Sequence, residues 1–522
     1  MAKGLSKSRY TLFRQCAKAL WLKTYKPGEA VVDAGVEARF EQGNEVGDLA
    51  MQRFGKFVEV TALNADGSLD LKTMIERTEE EMRKGTSTIC EASFSIKGHY
   101  CAVDILRRKA GGWGIYEVKS SSFSAAGGDT KDLEKYIPDI AYQKWVLEQC
   151  GVKVTDTYLV CLNKDYVRHG QLDLEQLFVE VDMSGLIAEE SVHVPELAAE
   201  AVAVVNSEEE PEQDLWENCH KPYDCAFWDY CKRLHGIPED KPSVFDLCGA
   251  IFKTKLKHYR AGRITFEDLR GEKLNDNQRR QVECTLQQKS HIDADGIRAF
   301  LNTLSFPLYF LDFETMQDAV PQYDDAKVYG QIPFQYSLHI RPSRENANYE
   351  HKEFLAPSDG SDPRRTLAEQ LCRDIPMNAC TVAYNKSFEC TRIKELAALY
   401  PDLADHLQNI ADHIVDLLDP FRGGCYYVPA MGGSNSIKSV LPALFPDDPR
   451  LNYHNLSDLC QNGGDAMTVF PRIKDMAPDE AAAAREALLR YCELDTWAMV
   501  KVWEKLKEVA RYSETTLLNR QI

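Results

Sequence analysis

Apolar and polar positions alternate over 89–96, 99–107 and 113–119, which predicts three short strands joined by turns. A helical period over 137–150 and an apolar run at 156–162 predict a helix and then a further strand. Ahead of these, an opening helix leads to a long helix near 34–55. In the second half, apolar strands near 308–314, 334–340 and 379–384 alternate with helices at 386–400, 436–445 and 479–511. Strands mixed with helices in this way predict two α/β (α+β) domains, 1–235 and 301–522. The stretch 236–300 reads as a helical connector with a basic face. No apolar run approaches the ~18 residues a membrane span requires, and no internal repeat is evident.

Composition narrows the class. Of 522 residues, 44% are hydrophobic and 27% charged, which excludes a mostly disordered or collagenous chain. The N-terminal stretch has no apolar core before a cleavage site, so a cytoplasmic protein is expected. There the 16 cysteines would be free thiols or metal ligands rather than disulfides. The net charge of −19 argues against a protein that coats nucleic acid. Metal-dependent nucleases escape that argument, because their sites concentrate carboxylates while separate basic patches hold substrate. Charge is unevenly distributed: Lys3, Lys7, Arg9, Arg14, Lys18, Lys23 and Lys26 meet no acid within 1–28, 186–214 is acidic without Lys or Arg, and 251–280 is basic. The two basic stretches are the candidates for phosphate contact, or else ordinary solvated surface.

Candidate chemistry first appears in CAVDILRRKAGGWGIYEVKSS. Asp104 falls on one strand, and Glu117 and Lys119 point to one face of the next. Two carboxylates with an adjacent ammonium equip a site for metal-assisted phosphodiester hydrolysis, although a cross-strand ion pair uses the same residues. Upstream, FEQGNEVGDLA offers Glu45 on a helix, with Glu41 as a competitor; downstream, Gln143 lies on the helix after the lysine strand. The order helix-Glu, Asp, Glu-x-Lys, helix-Gln resembles the RecB-type PD-(D/E)XK nucleases. That resemblance implies a restriction-endonuclease-like fold with Mg2+ or Mn2+ held by Glu45, Asp104 and Glu117, and catalytic roles for Lys119 and Gln143.

Cys219, Cys225 and Cys231 are regularly spaced in ENCHKPYDCAFWDYCKRLHG, and Cys16 lies on the basic N-terminal helix. Four such thiols make either a 4Fe-4S cluster or a structural Zn2+ site. One cysteine before the nuclease motif and three after it resemble the iron–sulfur RecB-type nucleases of CRISPR adaptation systems and of the AddB subunit. The spacing among the last three differs from those relatives, which leaves cluster and zinc both open.

In SFPLYFLDFETM, Asp312 and Glu314 share one face of an apolar strand. Burying two like charges is costly unless a cation binds them. Asn385 and Glu389 follow at a strand-to-helix junction, and Tyr491 and Asp495 sit one helical turn apart. Asp-x-Glu, Asn-x3-Glu and Tyr-x3-Asp in this order resemble the DnaQ-like DEDD exonucleases of the Tyr subtype. That implies an RNase H-like fold, Mg2+ or Mn2+ held by Asp312, Glu314, Glu389 and Asp495, and Tyr491 positioning water. Glu389 stands where that family has Asp, and Asp416 falls near its substrate strand. Tyr426, Tyr427, Ser436 and Lys438 offer base stacking and phosphate contact, or form an ordinary loop and helix cap.

The resemblances together imply a two-site, metal-dependent nuclease acting on nucleic acid. Single-stranded DNA is the favoured substrate, with 3′→5′ removal by the C-terminal half and a role in repair or defence against foreign nucleic acid. No membrane contact is expected, and a helicase or other repair or defence partner is unidentified. The alternative is a nucleic-acid-binding scaffold, or a nuclease with one degenerate site.

Overall fold

The computed structural model describes residues 3–31, 36–343, 346 and 348–518. Two compact units emerge: Met1–Ile237 with Asp318–Gly330, and Pro238–Gln317 with Gln331–Ile522. Among the described residues no helix is long and apolar enough to cross a membrane.

The first unit opens with β1 (Leu5–Ser6), α1 (Lys7–Gln15), α2 (Ala17–Tyr25), α3 (Val36–Arg53), β2 (Val58–Glu59) and α4 (Leu71–Lys84). A meander follows: β3 (Thr88–Ile96), β4 (His99–Lys109) and β5 (Gly112–Phe123). Then come α5 (Ile137–Gln149), β6 (Val154–Asn163), α6 (Leu174–Leu177), β7 (Phe178–Asp182), α7 (Ala188–Asn206) and α8 (Trp228–Leu234). The strands form one mixed sheet in the order β2-β3-β4-β5-β6-β7, with β1 beside β4. β3, β4 and β5 pair antiparallel, whereas β5 and β6 are parallel and joined through α5. Parallel neighbours need such a crossover, and here it carries a helix onto the sheet. Ile140, Val146 and Leu147 of α5 pack with Val194, Ala198 and Ala201 of α7 against Val103, Ile115 and Leu159. Val46 and Ala50 of α3 cover the other core, with Ile105, Tyr116 and Val160 and with Ala319, Val320 and Val328.

The opposed charge runs meet inside this unit. Arg14 pairs with Glu190 at 2.6 Å, and Lys18 and Lys26 both reach Glu210 at 3.0 Å. These lysines and this arginine of the N-terminal basic stretch are therefore occupied by the chain's own acidic segment.

The second unit begins with α9 (Phe252–Arg260), α10 (Asp276–Gln287), β8 (His291–Ile292) and α11 (Ala294–Leu301). Its sheet strands are β9 (Leu308–Gln317), β10 (Gln331–Arg341), β11 (Glu350–Leu355), β12 (Cys380–Ala383) and β13 (Ile414–Asp416). Among them lie α12 (Arg364–Asp374), α13 (Ser387–Leu399) and α14 (Ala404–Asp412). After them come α15 (Asp419–Arg422), β14 (Tyr426–Tyr427), α16 (Ile437–Leu444), α17 (Gly463–Arg472) and α18 (Pro478–Leu518). The sheet order is β11-β10-β9-β12-β13; β10 is antiparallel to both β9 and β11, while β12 is parallel to both β9 and β13. β9 is thus central, as its run Leu308–Leu311, buried on both faces, requires.

The stretch expected to be a separate connector is, from Pro238 onward, part of this unit. Val244, Leu247, Phe266, Leu269, Leu274 and Val282 close into a small core of their own. Several of its basic side chains are paired locally, Arg263 with Glu272 and Arg270 with Glu267, each at 2.6 Å.

Leu311 is fully buried among Leu338, Leu371 and Ile393. Leu311→Ala is expected to destabilise the second unit by about 2–5 kcal/mol, read from its urea unfolding transition. A midpoint equal to that of the unmodified protein would place this strand outside the core.

Candidate active sites

In the first unit, β4, β5, α5 and the start of α1 bring one charged network together. Alternation along β5 places Glu117 and Lys119 on one side, and their head groups meet at 2.5 Å. Gln143 of α5 donates from Nε2 to Glu117 Oε2 at 2.7 Å, and Asp104 of β4 accepts from the backbone N–H of Val118 at 2.7 Å. The structure thus assembles Asp104, Glu117, Lys119 and Gln143.

Three further side chains join them that the sequence did not single out. Asp139, one turn before Gln143 on α5, accepts from Lys119 Nζ at 3.0 Å and from Gln143 Nε2 at 3.0 Å. Lys7, the first residue of α1, donates to both Glu117 oxygens at 3.0 and 3.1 Å and lies 3.6 Å from Asp104 Oδ1. Glu91 lies between the paired positions Cys90–Ile105 and Ala92–Val103, with a positive φ of 56°. Burial and then the Asp104 charge push its carboxyl up to about 7. A carboxylate between the apolar Cys90 and Ala92 was the available signal for Glu91; nothing in a basic N-terminal run marked Lys7.

Glu45 stands apart from this network. It is exposed on α3, and its carboxyl is raised by burial alone, with no partner among the described residues. Its neighbour Val46 is the residue that faces the sheet, and successive helical positions point about 100° apart. Among the described hydrogen bonds and ion pairs none joins Glu45 to Asp104 or Glu117, so the assembled set is Asp104, Glu117, Lys119 and Gln143.

The electrostatics are internally balanced. Burial and Asp104 would raise the Glu117 carboxyl, yet Lys119 and Lys7 outweigh them and hold it below its ordinary value, although its side chain is 0% exposed. Burial would lower the Lys7 ammonium, but Asp104, Glu117 and Asp139 hold it well above the usual lysine value.

Cys16, Cys219, Cys225 and Cys231 converge on one enclosed cavity, which Trp228 and Lys18 also border. Cys16 sits at the break between α1 and α2, in extended conformation. Cys219 Sγ accepts from the Trp216 N–H at 3.5 Å, and Cys231 is on α8. Burial pushes the Cys219 thiol up to about 11 and the Cys231 thiol up to about 12. Among the described residues no three of these sulfurs lie within 4.8 Å of one another. Hydrogen bonds from Gln15 Nε2 to the carbonyls of Asn218 (2.9 Å) and Tyr223 (2.7 Å) tie the same chain ends together.

In the second unit, Asp312 and Glu314 project from β9 towards α18, which carries Tyr491 and Asp495. Cys492 joins the two β9 acids, the three ligating atoms lying within 4.8 Å of one another. Burial, then Asp495, Glu314 and Glu389, hold the Asp312 carboxyl well above its usual range. Burial and Asp495 do the same to Glu314. Burial raises Asp495 to about 6, against the hydrogen bond it accepts from Tyr453 Oη at 2.6 Å. Glu389, on the first turn of α13, is raised to about 8 by burial, and its Oε2 is buried without a hydrogen-bond partner.

Asp416 serves the turn beside Glu389, accepting from the N–H groups of Asn385 (2.8 Å) and Leu418 (3.1 Å) and pairing with Arg422. Lys438, at the start of α16, lies 5.8 Å from the ring centres of Tyr453 and Tyr491 and is the cation that opposes the acids. Gly463 opens α17 so close to the site that a Cβ there would stand 3.7 Å from Glu314 Oε2 and 3.9 Å from Tyr491 Oη. Tyr426 and Tyr427, expected as base-stacking residues, are buried (5% and 7% exposed) in a strand pair with β8. They are not available to stack on a base. Ser436 precedes α16 and is exposed.

Residues 309–436 match the sequence family described as "Domain of unknown function (DUF2779)". That stretch includes Asp312, Glu314 and Glu389 and stops before Tyr491 and Asp495. The chain is also similar to the "Uncharacterized protein MG366 homolog" of Mycoplasma pneumoniae, 27% identical over 37% of this chain and 31% of the relative. A second relative, "Uncharacterized protein UU173" of Ureaplasma parvum, is 27% identical over 41% of this chain and 33% of its own length. The matches span about a third of each curated relative. No solved structure matches.

The raised acids predict a pH dependence. Unfolded, Asp495 and Glu389 ionise near pH ~4; folded, they keep their protons to about 6 and about 8. Between these limits the folded chain binds more protons than the unfolded one, so stability falls as pH rises. The metal-free melting midpoint of the second unit is expected to drop between about pH 5 and pH 8, and added Mn2+ is expected to raise it more at pH 8. A midpoint that climbs across this window contradicts the assignment.

Proposed function

We propose that the chain is a metal-dependent nuclease with two active sites that hydrolyses phosphodiester bonds, with single-stranded DNA as the substrate. The observation that carries this reading is the convergence of Asp312, Glu314, Glu389 and Asp495 beside Tyr491 around a central strand. Three buried carboxyls and the half-buried Asp312, all with raised proton affinity, and an unpartnered Glu389 oxygen fit hard divalent cations, Mg2+ or Mn2+. When bound, such ions supply Lewis-acid polarisation of the scissile phosphate. The chain's own part is placement. Tyr453 and Tyr491 both engage Asp495, Tyr491 would position the attacking water, and Gly463 puts no side chain beside Glu314.

The strand order β11-β10-β9-β12-β13 with its mixed directions supports an RNase H-like fold for this unit, and with it a 3′→5′ exonuclease of the DnaQ-like type. In the first unit, the antiparallel β3-β4-β5 meander and the β5-α5-β6 crossover support a PD-(D/E)XK reading, with Asp104 and Glu117 as cation ligands and Lys119 orienting water.

For the four thiols, an iron–sulfur cluster is favoured over zinc. Tetrahedral zinc with bonds of about 2.3 Å would draw its four thiolates to about 3.8 Å from each other, a tighter set than the described sulfurs make, no three of which lie within 4.8 Å of one another. A 4Fe-4S cluster spreads four thiolates around a larger body.

A second reading is that only the second unit cleaves while the first grips substrate. The Lys7 ammonium between Asp104 and Glu117 favours it, because it already neutralises those ligands.

With end-labelled single-stranded DNA and Mn2+, release of mononucleotides from the 3′ end is expected to fall by about 100-fold or more in Asp312→Ala and to persist in Lys119→Ala. Loss in Lys119→Ala alone would assign cleavage to the first unit. Inactivity on DNA with cleavage of RNA would change the substrate. Anaerobically purified protein is expected to carry iron and sulfide and to show cluster absorption that Cys231→Ser removes. Stoichiometric zinc without iron would decide for the zinc site.

A further inference from the structure

His339 of β10 and His351 of β11 are direct cross-strand partners, their rings 4.6 Å apart between centroids. Glu493, on α18, closes a triangle in which the nearest ligating atoms of all three residues lie within 4.8 Å of one another. None of the three belongs to the carboxylate set around Asp312.

Hydrogen bonds hold both rings in place. Thr496 Oγ1, 3.1 Å from the Glu493 carbonyl, also meets His339 Nδ1 at 2.8 Å and Ser337 Oγ at 2.7 Å. The Ser337 hydroxyl in turn meets His351 Nε2 at 3.0 Å. Each imidazole is thus oriented by a hydroxyl at one nitrogen and has a second nitrogen for an ion, as metal-binding histidines have. His339 is only 5% exposed, held between its strand neighbours and α18. His351 and Glu493 are exposed, which gives an ion a way in.

We propose that His339, His351 and the Glu493 carboxylate form a zinc site distinct from the carboxylate centre around Asp312. Two imidazoles and one carboxylate are a donor set for Zn2+ with a fourth position left to water, and they discriminate against the oxygen-seeking Mg2+. A bound ion would clamp two strands to α18, the helix that presents Tyr491 and Asp495. The site stands whether or not the chain is a nuclease.

The test uses full-length protein cleared of metal by chelation, then titrated with Zn2+ and, as a spectroscopic probe, Co2+. His351→Ala and Glu493→Gln alter exposed ligands, and their melting in the metal-free state should match that of the unmodified chain. Each variant is expected to lose one equivalent of Zn2+ per chain, or to bind it about 100-fold more weakly. Each should also lose the visible Co2+ band of a four-coordinate site and the Zn2+-dependent rise in melting temperature, while Asp312→Ala keeps all three. Equal zinc content and equal thermal response in both variants and the unmodified chain would overturn the proposal. Loss in Asp312→Ala instead would assign the zinc to the carboxylate centre.

Discussion

Like charges buried together around β9 are the constraint to which the second unit answers. Asp312 and Glu314 leave a strand whose other residues are core, and they face Asp495 and Glu389 across a space that water does little to screen. Such a group either holds protons or holds cations. The surroundings are arranged for that choice. Tyr453 fixes one carboxylate, Lys438 lends a single positive charge from α16, and the long α18 spans the sheet so that Tyr491 and Asp495 arrive one above the other. Glycine at 463 keeps the approach to Glu314 clear of a side chain.

The first unit solves the same difficulty in the opposite way. Its buried Glu117 is kept ionised by two ammonium groups rather than left short of positive charge. One of them, Lys119, is a near neighbour along the chain, and the other comes from the far N-terminus. Glu117 thus accepts from two ammonium groups, whereas Asp312, Glu314 and Asp495 are opposed by Lys438 and stay above their ordinary proton affinity. Both sets are built from carboxylates on adjacent or central strands.

What could be read from the sequence was local. Glu117 with Lys119, and Asp312 with Glu314, follow from two-residue alternation inside apolar strands, and Tyr491 with Asp495 from the helical turn. The four cysteines could be grouped because that residue type is sparse and chemically particular. Groups supplied by distant segments were hidden: Lys7 looked like one more solvated base, and Tyr453 lies in a short turn of helix without periodicity. Glu91 depends on a local reversal of backbone that no pattern announces. β11 escaped notice because Glu350–Glu353 reads as polar surface, and with it went the pairing of His351 to His339. On α3 the side chain that turns into the core is Val46, the neighbour of Glu45, and the sequence pattern of that helix did not separate the two faces.

α1 is a rod of nine residues, about 13 Å long, with Lys7 at one end and Cys16 capping the other. The thiol cavity and the Glu117 carboxylate are therefore fastened to the two tips of one lever. One stiff helix thereby sets the distance between the ammonium that Glu117 accepts from and the first of the four sulfurs, so the charged network and the thiol cavity cannot be spaced independently of each other.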